Sequence, residues 1–240
     1  MATLHRPPRA RPHGHTQHAA AAPGQASMVA GISLALMAVL GGWANFGALT
    51  PLIAAGDAAR TTANIAAAEP LFRAGIAAMI IVALLDIVVA VALLVILEPV
   101  NRGLAVTAAA LRAAYAGGLV VAVSQLVTVP ALLDEPAQAM RAIEAYDATW
   151  QVSLILFAVH LLVIGWLGFR SGFMPRIFGV LLVIAGLGYL ADGFGAVLVP
   201  DFSPTFALFT FVGEVALIFW LLISGRKLGD RSNTGASDVV

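Results

Sequence analysis

The stretch MIIVALLDIVVAVALL, residues 79–94, sets fifteen apolar residues around a single carboxylate, Asp86. No charged residue lies in the twelve positions before it (74–85) or the eleven after it (87–97). Such a run has no face to offer water. As a helix rising ~1.5 Å per residue, it is long enough to cross the ~30 Å hydrocarbon core of a bilayer. Soluble domains carry ~25% charged residues, whereas this chain is 11% charged and 60% hydrophobic, with mean hydropathy +0.94. Its 240 residues therefore divide better into membrane spans, each of ~20 residues, than into soluble domains.

Six such runs follow one another. The first is Met28 to Leu49, and the second runs from about Pro70 to Leu97, with Glu69 as its cap and Pro70 opening it. The third lies between Leu104 and Val129, the fourth from Thr149 to Phe169, and the fifth from Arg176 to Val199. The sixth begins after DFSP, where Ser203 caps and Pro204 opens a helix, and ends near Ser224. Between the first two, GDAARTTANIAAAE reads as a short extramembrane helix, and LDEPAQAMRAIEAYDA before the fourth reads as a loop that could hold another. The expected fold is all-α, a polytopic bundle of six spans over residues 28–226. Residues 1–27, rich in Pro, Arg, His and Ala, and residues 227–240 read as disordered tails. The N-terminal apolar run is too long for a secretory signal, whose apolar region is about 7–15 residues.

Basic residues orient the bundle. Arg6, Arg9 and Arg11 precede the first span, Arg102 follows the second, Arg170 and Arg176 flank the fourth junction, and Arg226, Lys227 and Arg231 follow the sixth. The other side has only Arg60, Arg73 and Arg141, among seven acids. The excess of positive charge places both termini in the cytoplasm. Arginine dominates the basic residues, and together with the Ala and Gly content this suggests a bacterial protein of the cytoplasmic (inner) membrane.

Ionisable groups within the spans are the candidate site. Asp86, His160 and Glu214 are each central to a run, and an acid there costs about 2.5–3.5 kcal/mol on insertion scales unless it is neutral, paired or wet. Arg112, in TAAALRAAYAGG, is the natural counter-charge. Residues 113–133 alone could span and leave Arg112 to snorkel to the edge; if the helix begins near Leu104, Arg112 lies inside. The acids' need for a cation favours the second arrangement. A histidine among carboxylates suits a proton-linked site, or one that holds a polar or lipid-headgroup ligand. The plainer reading is a knot of mutually satisfied polar groups that fixes helix register. Gly179, Gly186 and Gly193 recur at heptad spacing as a close-packing stripe, and Asn45 reads as an interhelical hydrogen bond.

Nothing in the chain forms a phosphate-binding loop, a dinucleotide fingerprint, a nucleophile elbow or a zincin motif. The absence of cysteine excludes disulfides and thiolate metal sites. His13, His15 and His18 lack an acidic partner, so no metal or cofactor is expected. With zero formal net charge no nucleic-acid partner is expected either; the partners are the bilayer and a small polar or lipid ligand.

The segments GDAARTTANIAAAEPLFRAG, LLDIVVAVALLVILEPVNRGLAVTAAALR, RSGFMPRIFGVLLVIAGLGYLAD and GEVALIFWLLISG carry a resemblance. Over roughly residues 28–226 the chain resembles the bacterial integral-membrane family catalogued as domain of unknown function 4386. The resemblance rests on Gly56-Asp57, Leu71-Phe72-Arg73, Pro99-Val100-Asn101, Arg112, Ser171-Gly172 with Pro175, and Gly213-Glu214. It implies a multi-helix membrane protein and brings no catalytic assignment. Within it, Asp57, Arg60, Glu69 and Arg73 fall on the outer side, where they are candidates for an outer mouth over the midplane site; Asp192, near the outer end of the fifth span, joins them. The alternative is a solvated segment with incidental charges. Three functions stay open: a non-enzymatic site that binds or passes a proton, small polar solute or lipid headgroup; an intramembrane acid–base enzyme acting on a lipid; and a structural or regulatory partner whose charges only fix packing.

Overall fold

The computed structural model describes residues 23–199, 202, 205–206 and 212–228. The N-terminal tail to residue 22, with His13, His15 and His18, lies outside the described residues, as do positions 203–204 and 229–240.

Seven α-helices account for most of the described chain. Helix α1 (Pro23–Gly42) passes without a break into a π-helical stretch, Trp43–Leu49, and a 3₁₀ turn, Thr50–Leu52. It begins five residues before the expected Met28, so Pro23 to Ser27 are helical rather than tail. Asn45 explains part of the widening. Its side-chain amide donates back to the Gly41 carbonyl at 2.9 Å, within its own helix, and approaches Met79 Sδ at 3.8 Å. Side chains that compete for helix carbonyls in this way loosen the local ladder.

Gly56, with φ of 75°, turns the chain into α2 (Ala58–Ala67), whose first turn Asp57 caps by accepting from the Arg60 amide at 2.9 Å. Helix α3 (Glu69–Leu97) starts one residue before the predicted Pro70, with Glu69 inside the first turn and Ala68 at the cap. Asn101 Oδ1 accepts from the Leu104 amide at 3.0 Å and caps α4 (Arg102–Thr128). Helix α6 (Arg176–Leu198) ends one residue short of expectation, and α7 covers Val212–Ile223.

The main departure is α5 (Pro136–Arg170). Its 35 residues run unbroken where a loop followed by a helix from Thr149 was expected. At ~1.5 Å per residue it is ~50 Å long, well beyond the ~30 Å of bilayer hydrocarbon. Ala139, Ile143 and Tyr146, at i, i+4 and i+7, form a buried stripe on the added turns. Helix α2 packs against α5, and its own buried face is Thr61, Thr62 and Ile65. The extension thus has a partner that hydropathy alone does not reveal.

Packing closes a ring. Helix α1 lies against α3, α3 against α4, α4 against α5, α5 against α6, α6 against α7, and α7 returns to α1. Among the described residues, five helical segments are long and apolar enough to cross a membrane, and α7 is a shorter apolar helix. Large hydrophobic side chains face outward, as at Leu84 (63% exposed) and Val91 (58%), whereas Asp86 between them is fully buried. Apolar side chains outside and charge inside invert the soluble pattern. This is an all-helical membrane protein.

The α5–α6 contact depends on glycine. A Cβ on Gly179 would sit 2.6 Å from both the Gly165 carbonyl oxygen and the Phe169 amide nitrogen; on Gly186 it would meet the Ala158 carbonyl at 2.9 Å. At Gly193 it would meet the Ile155 side chain at 2.6 Å. The heptad stripe brings two backbones together.

Candidate functional site

Four helices of the ring contribute charge or imidazole to its interior. Helix α3 supplies Asp86, α4 supplies Arg112, and α5 supplies His160, all three buried. The Asp86 Oδ1 lies 2.6 Å from an Arg112 terminal nitrogen, an ion contact without good hydrogen-bond alignment, and Oδ2 has no donor. A second terminal nitrogen of Arg112 is 3.3 Å from His160 Nε2, and His160 Nδ1 is 2.8 Å from the Ala108 carbonyl oxygen.

These contacts assign the imidazole. A carbonyl only accepts and a guanidinium only donates, so Nδ1 carries the proton and Nε2 is the acceptor. His160 is therefore held as the neutral Nδ1–H tautomer. The fork of Arg112 serves two partners on two helices, and its Cζ also lies 5.3 Å from the centroid of Phe157.

Helix α7 brings Glu214 toward the same interior. The residue is partly exposed, yet its Oε1 is buried without a hydrogen-bond partner. Its carboxylate is within electrostatic reach of Arg112 and Asp86 and within hydrogen-bonding reach of Tyr189 on α6. Counting Asp86 and Glu214 as ionised, Arg112 as the one cation and His160 as neutral, the four groups sum to minus one.

Aromatic residues that sequence reasoning missed complete the surround. Tyr115 packs on Phe157 at 4.9 Å between centroids, Phe157 lies 5.8 Å from His160, and Tyr189 meets Phe157 edge-on at 5.4 Å. Toward the α2-covered end of α5, Tyr146 and Trp150 are 5.7 Å apart, and the Tyr146 hydroxyl is buried without a partner. Trp150 in turn approaches the Tyr115 side chain. Polar edges therefore recur from the α2–α5 contact inward to Arg112. Tyr115 sits three residues after Arg112, and that spacing was the one available signal.

The remaining candidates lie apart from this cluster. Asp57 is an exposed helix cap, Arg60 is exposed, and Glu69 and Arg73 pair with each other at 2.7 Å along the surface of α3. An exposed i,i+4 pair of this kind contributes little, ~0.3–0.5 kcal/mol. Asp192 is buried, and its Oδ1 accepts from the Thr205 and Phe206 amides at 2.9 and 3.0 Å. It ties the end of α6 to the chain that leads into α7. Among the described residues no carboxylate lies within ion-pair distance of His160, and Arg112 stands between the imidazole and Asp86.

The chain is also similar to an "Uncharacterized protein" of the archaeon Archaeoglobus fulgidus, with 30% identity over 159 residues that cover 66% of this chain and 88% of that protein. No solved structure matches. The family model described as Domain of unknown function (DUF4386) matches residues 29–225, which takes in every helix that contributes to the buried cluster. The chain belongs to that family.

Proposed function

We propose a multi-pass inner-membrane protein with six spans and both termini in the cytoplasm, whose ring interior is a proton-linked polar site. In this reading α7 and the residues leading into it form the sixth span, and Asp86, Arg112, His160 and Glu214 bind or pass a proton together with a small polar solute. One observation carries the reading. Two buried carboxylate oxygens, Asp86 Oδ2 and Glu214 Oε1, lack donors beside a single cation. An uncompensated acid in low dielectric is costly, and a proton or a polar ligand would relieve it. The partnerless hydroxyl of Tyr146, on the turns of α5 that α2 covers, supports access from the α2–α5 side.

The test is flux in proteoliposomes. Replacing Glu214→Gln, which leaves the buried Asp86–Arg112 pair intact, should reduce proton-coupled flux to the level of empty liposomes while expression and elution profile stay normal. Unchanged flux in the folded Glu214→Gln variant would remove the transport reading.

A second reading is supported by the complete enclosure of Asp86, Arg112 and His160: a purely structural ion-pair network. It predicts that folding and every measurable property fail together. The acid–base enzyme has weaker support, because general acid–base chemistry needs a pair within hydrogen-bond reach of the reacting group. Both nitrogens of His160 are already engaged.

A further inference from the structure

A different site lies where α5 ends and α6 begins. Arg170 is the last residue of α5 and Arg176 the first of α6. Both line a cavity of about 560 Å³, together with Phe169, Gly172, Met174 and Pro175. Behind Arg170 a second cavity of about 230 Å³ reaches Asn101, Leu104 and Trp166.

The two arginines are held without carboxylates. Arg170 Cζ is 5.7 Å from the Trp166 ring centroid and Arg176 Cζ is 5.5 Å from that of Phe169. Among the described residues neither forms an ion pair, and no Asp or Glu occurs between Asp147 and Asp192. Stacking occupies a guanidinium face and leaves its in-plane N–H groups free, the geometry that grips a phosphate. The cavity mouth is preformed. Gly172 turns with φ of 72°, and the Ser171 hydroxyl donates to the Gly168 carbonyl at 2.8 Å and accepts from the Met174 amide at 3.1 Å. Met174 is buried against α5, so the loop is anchored from beneath.

Apolar side chains lie exposed beside the two arginines in the chain: Phe169, which lines the larger cavity, Trp166, which lines the smaller, and Ile177, which follows Arg176, are 37%, 52% and 57% exposed. A soluble phosphate gains nothing from them, whereas a lipid has acyl chains to lay along them. We propose that this cavity binds the phosphate of an anionic membrane phospholipid between Arg170 and Arg176, with its chains along Trp166, Phe169 and Ile177. The site is independent of the midplane cluster.

Native mass spectrometry of the full-length protein tests it, with phosphatidylglycerol titrated against phosphatidylcholine of the same chain length. The wild type should prefer phosphatidylglycerol, and Arg170→Gln with Arg176→Gln should weaken its binding roughly 25-fold, about fivefold per basic residue. Arg102→Gln, at an exposed arginine already paired with Glu98 at 3.3 Å, should leave the preference intact. If the Gln variant is not monodisperse, the Arg→Lys pair replaces it; keeping charge but losing the fork and the stacking, it should bind more weakly than wild type. Equal binding of the two lipids by the wild type, or an unaltered preference in the double variant, would overturn the site. Equal competition by millimolar inorganic phosphate would overturn the lipid assignment.

Discussion

Replacing Arg112 with Leu should destabilise the protein by about 3–5 kcal/mol, the range seen when one partner of a buried ion pair is removed. The cause is the group left behind. Asp86 is fully buried, with Oδ1 facing Arg112 at 2.6 Å and Oδ2 without a donor, so loss of the guanidinium leaves a carboxylate with no cation. His160 loses its Nε2 donor in the same step. Most of the deficit should return when Asp86→Asn is added, because the second change removes the charge that the first exposed. Thermal unfolding in a fixed detergent measures both variants. Equal stability of wild type and the Arg112→Leu variant would show that the pair is hydrated and weakly coupled. Arg112→Lys should fall between them, since a point charge cannot serve Asp86 and His160 as the planar fork does.

The second large effect concerns α5 and α6. Ala in place of Gly normally stabilises a helix, by up to ~1 kcal/mol. Gly117→Ala, at a position with nothing within 4 Å of the new carbon, should show that gain. Gly179→Ala should do the opposite, because its Cβ would lie 2.6 Å from two backbone atoms of α5 that no rotamer change can move. Overpacking of this sort costs about 1–3 kcal/mol, and here it must also separate the helices that carry His160 and Tyr189. The two variants should therefore move the unfolding midpoint in opposite directions. A shared direction would contradict the close approach.

What could be read beforehand follows from cost. Asp86, His160 and Glu214 stood out because ionisable groups in apolar runs are expensive, and Arg112 stood out because acids need cations. Tyr115, Tyr189, Trp150 and Phe157 did not stand out. Aromatic residues in a membrane helix usually serve packing or the interface, and nothing in their spacing across three separate segments ties them to one centre. The length of α5 was missed for a related reason. Hydropathy detects lipid-facing turns, while Ala139, Ile143 and Tyr146 are buried on the part of α5 that precedes the expected span, among the charges of Arg141, Glu144 and Asp147, and α2 packs against α5. The charges Asp57, Glu69 and Arg73, expected at an outer mouth, are used locally in the structure, as a cap and a surface pair.

Proton uptake by the ring interior is open to infrared spectroscopy of the lipid-reconstituted protein. A pH-dependent carboxylic-acid band should be seen in the wild type, be absent in Glu214→Gln or Asp86→Asn, and be present in the exposed-site variant Glu69→Gln. A wild-type spectrum with no titrating carboxyl that these two substitutions remove would contradict it and leave the buried charges as packing alone.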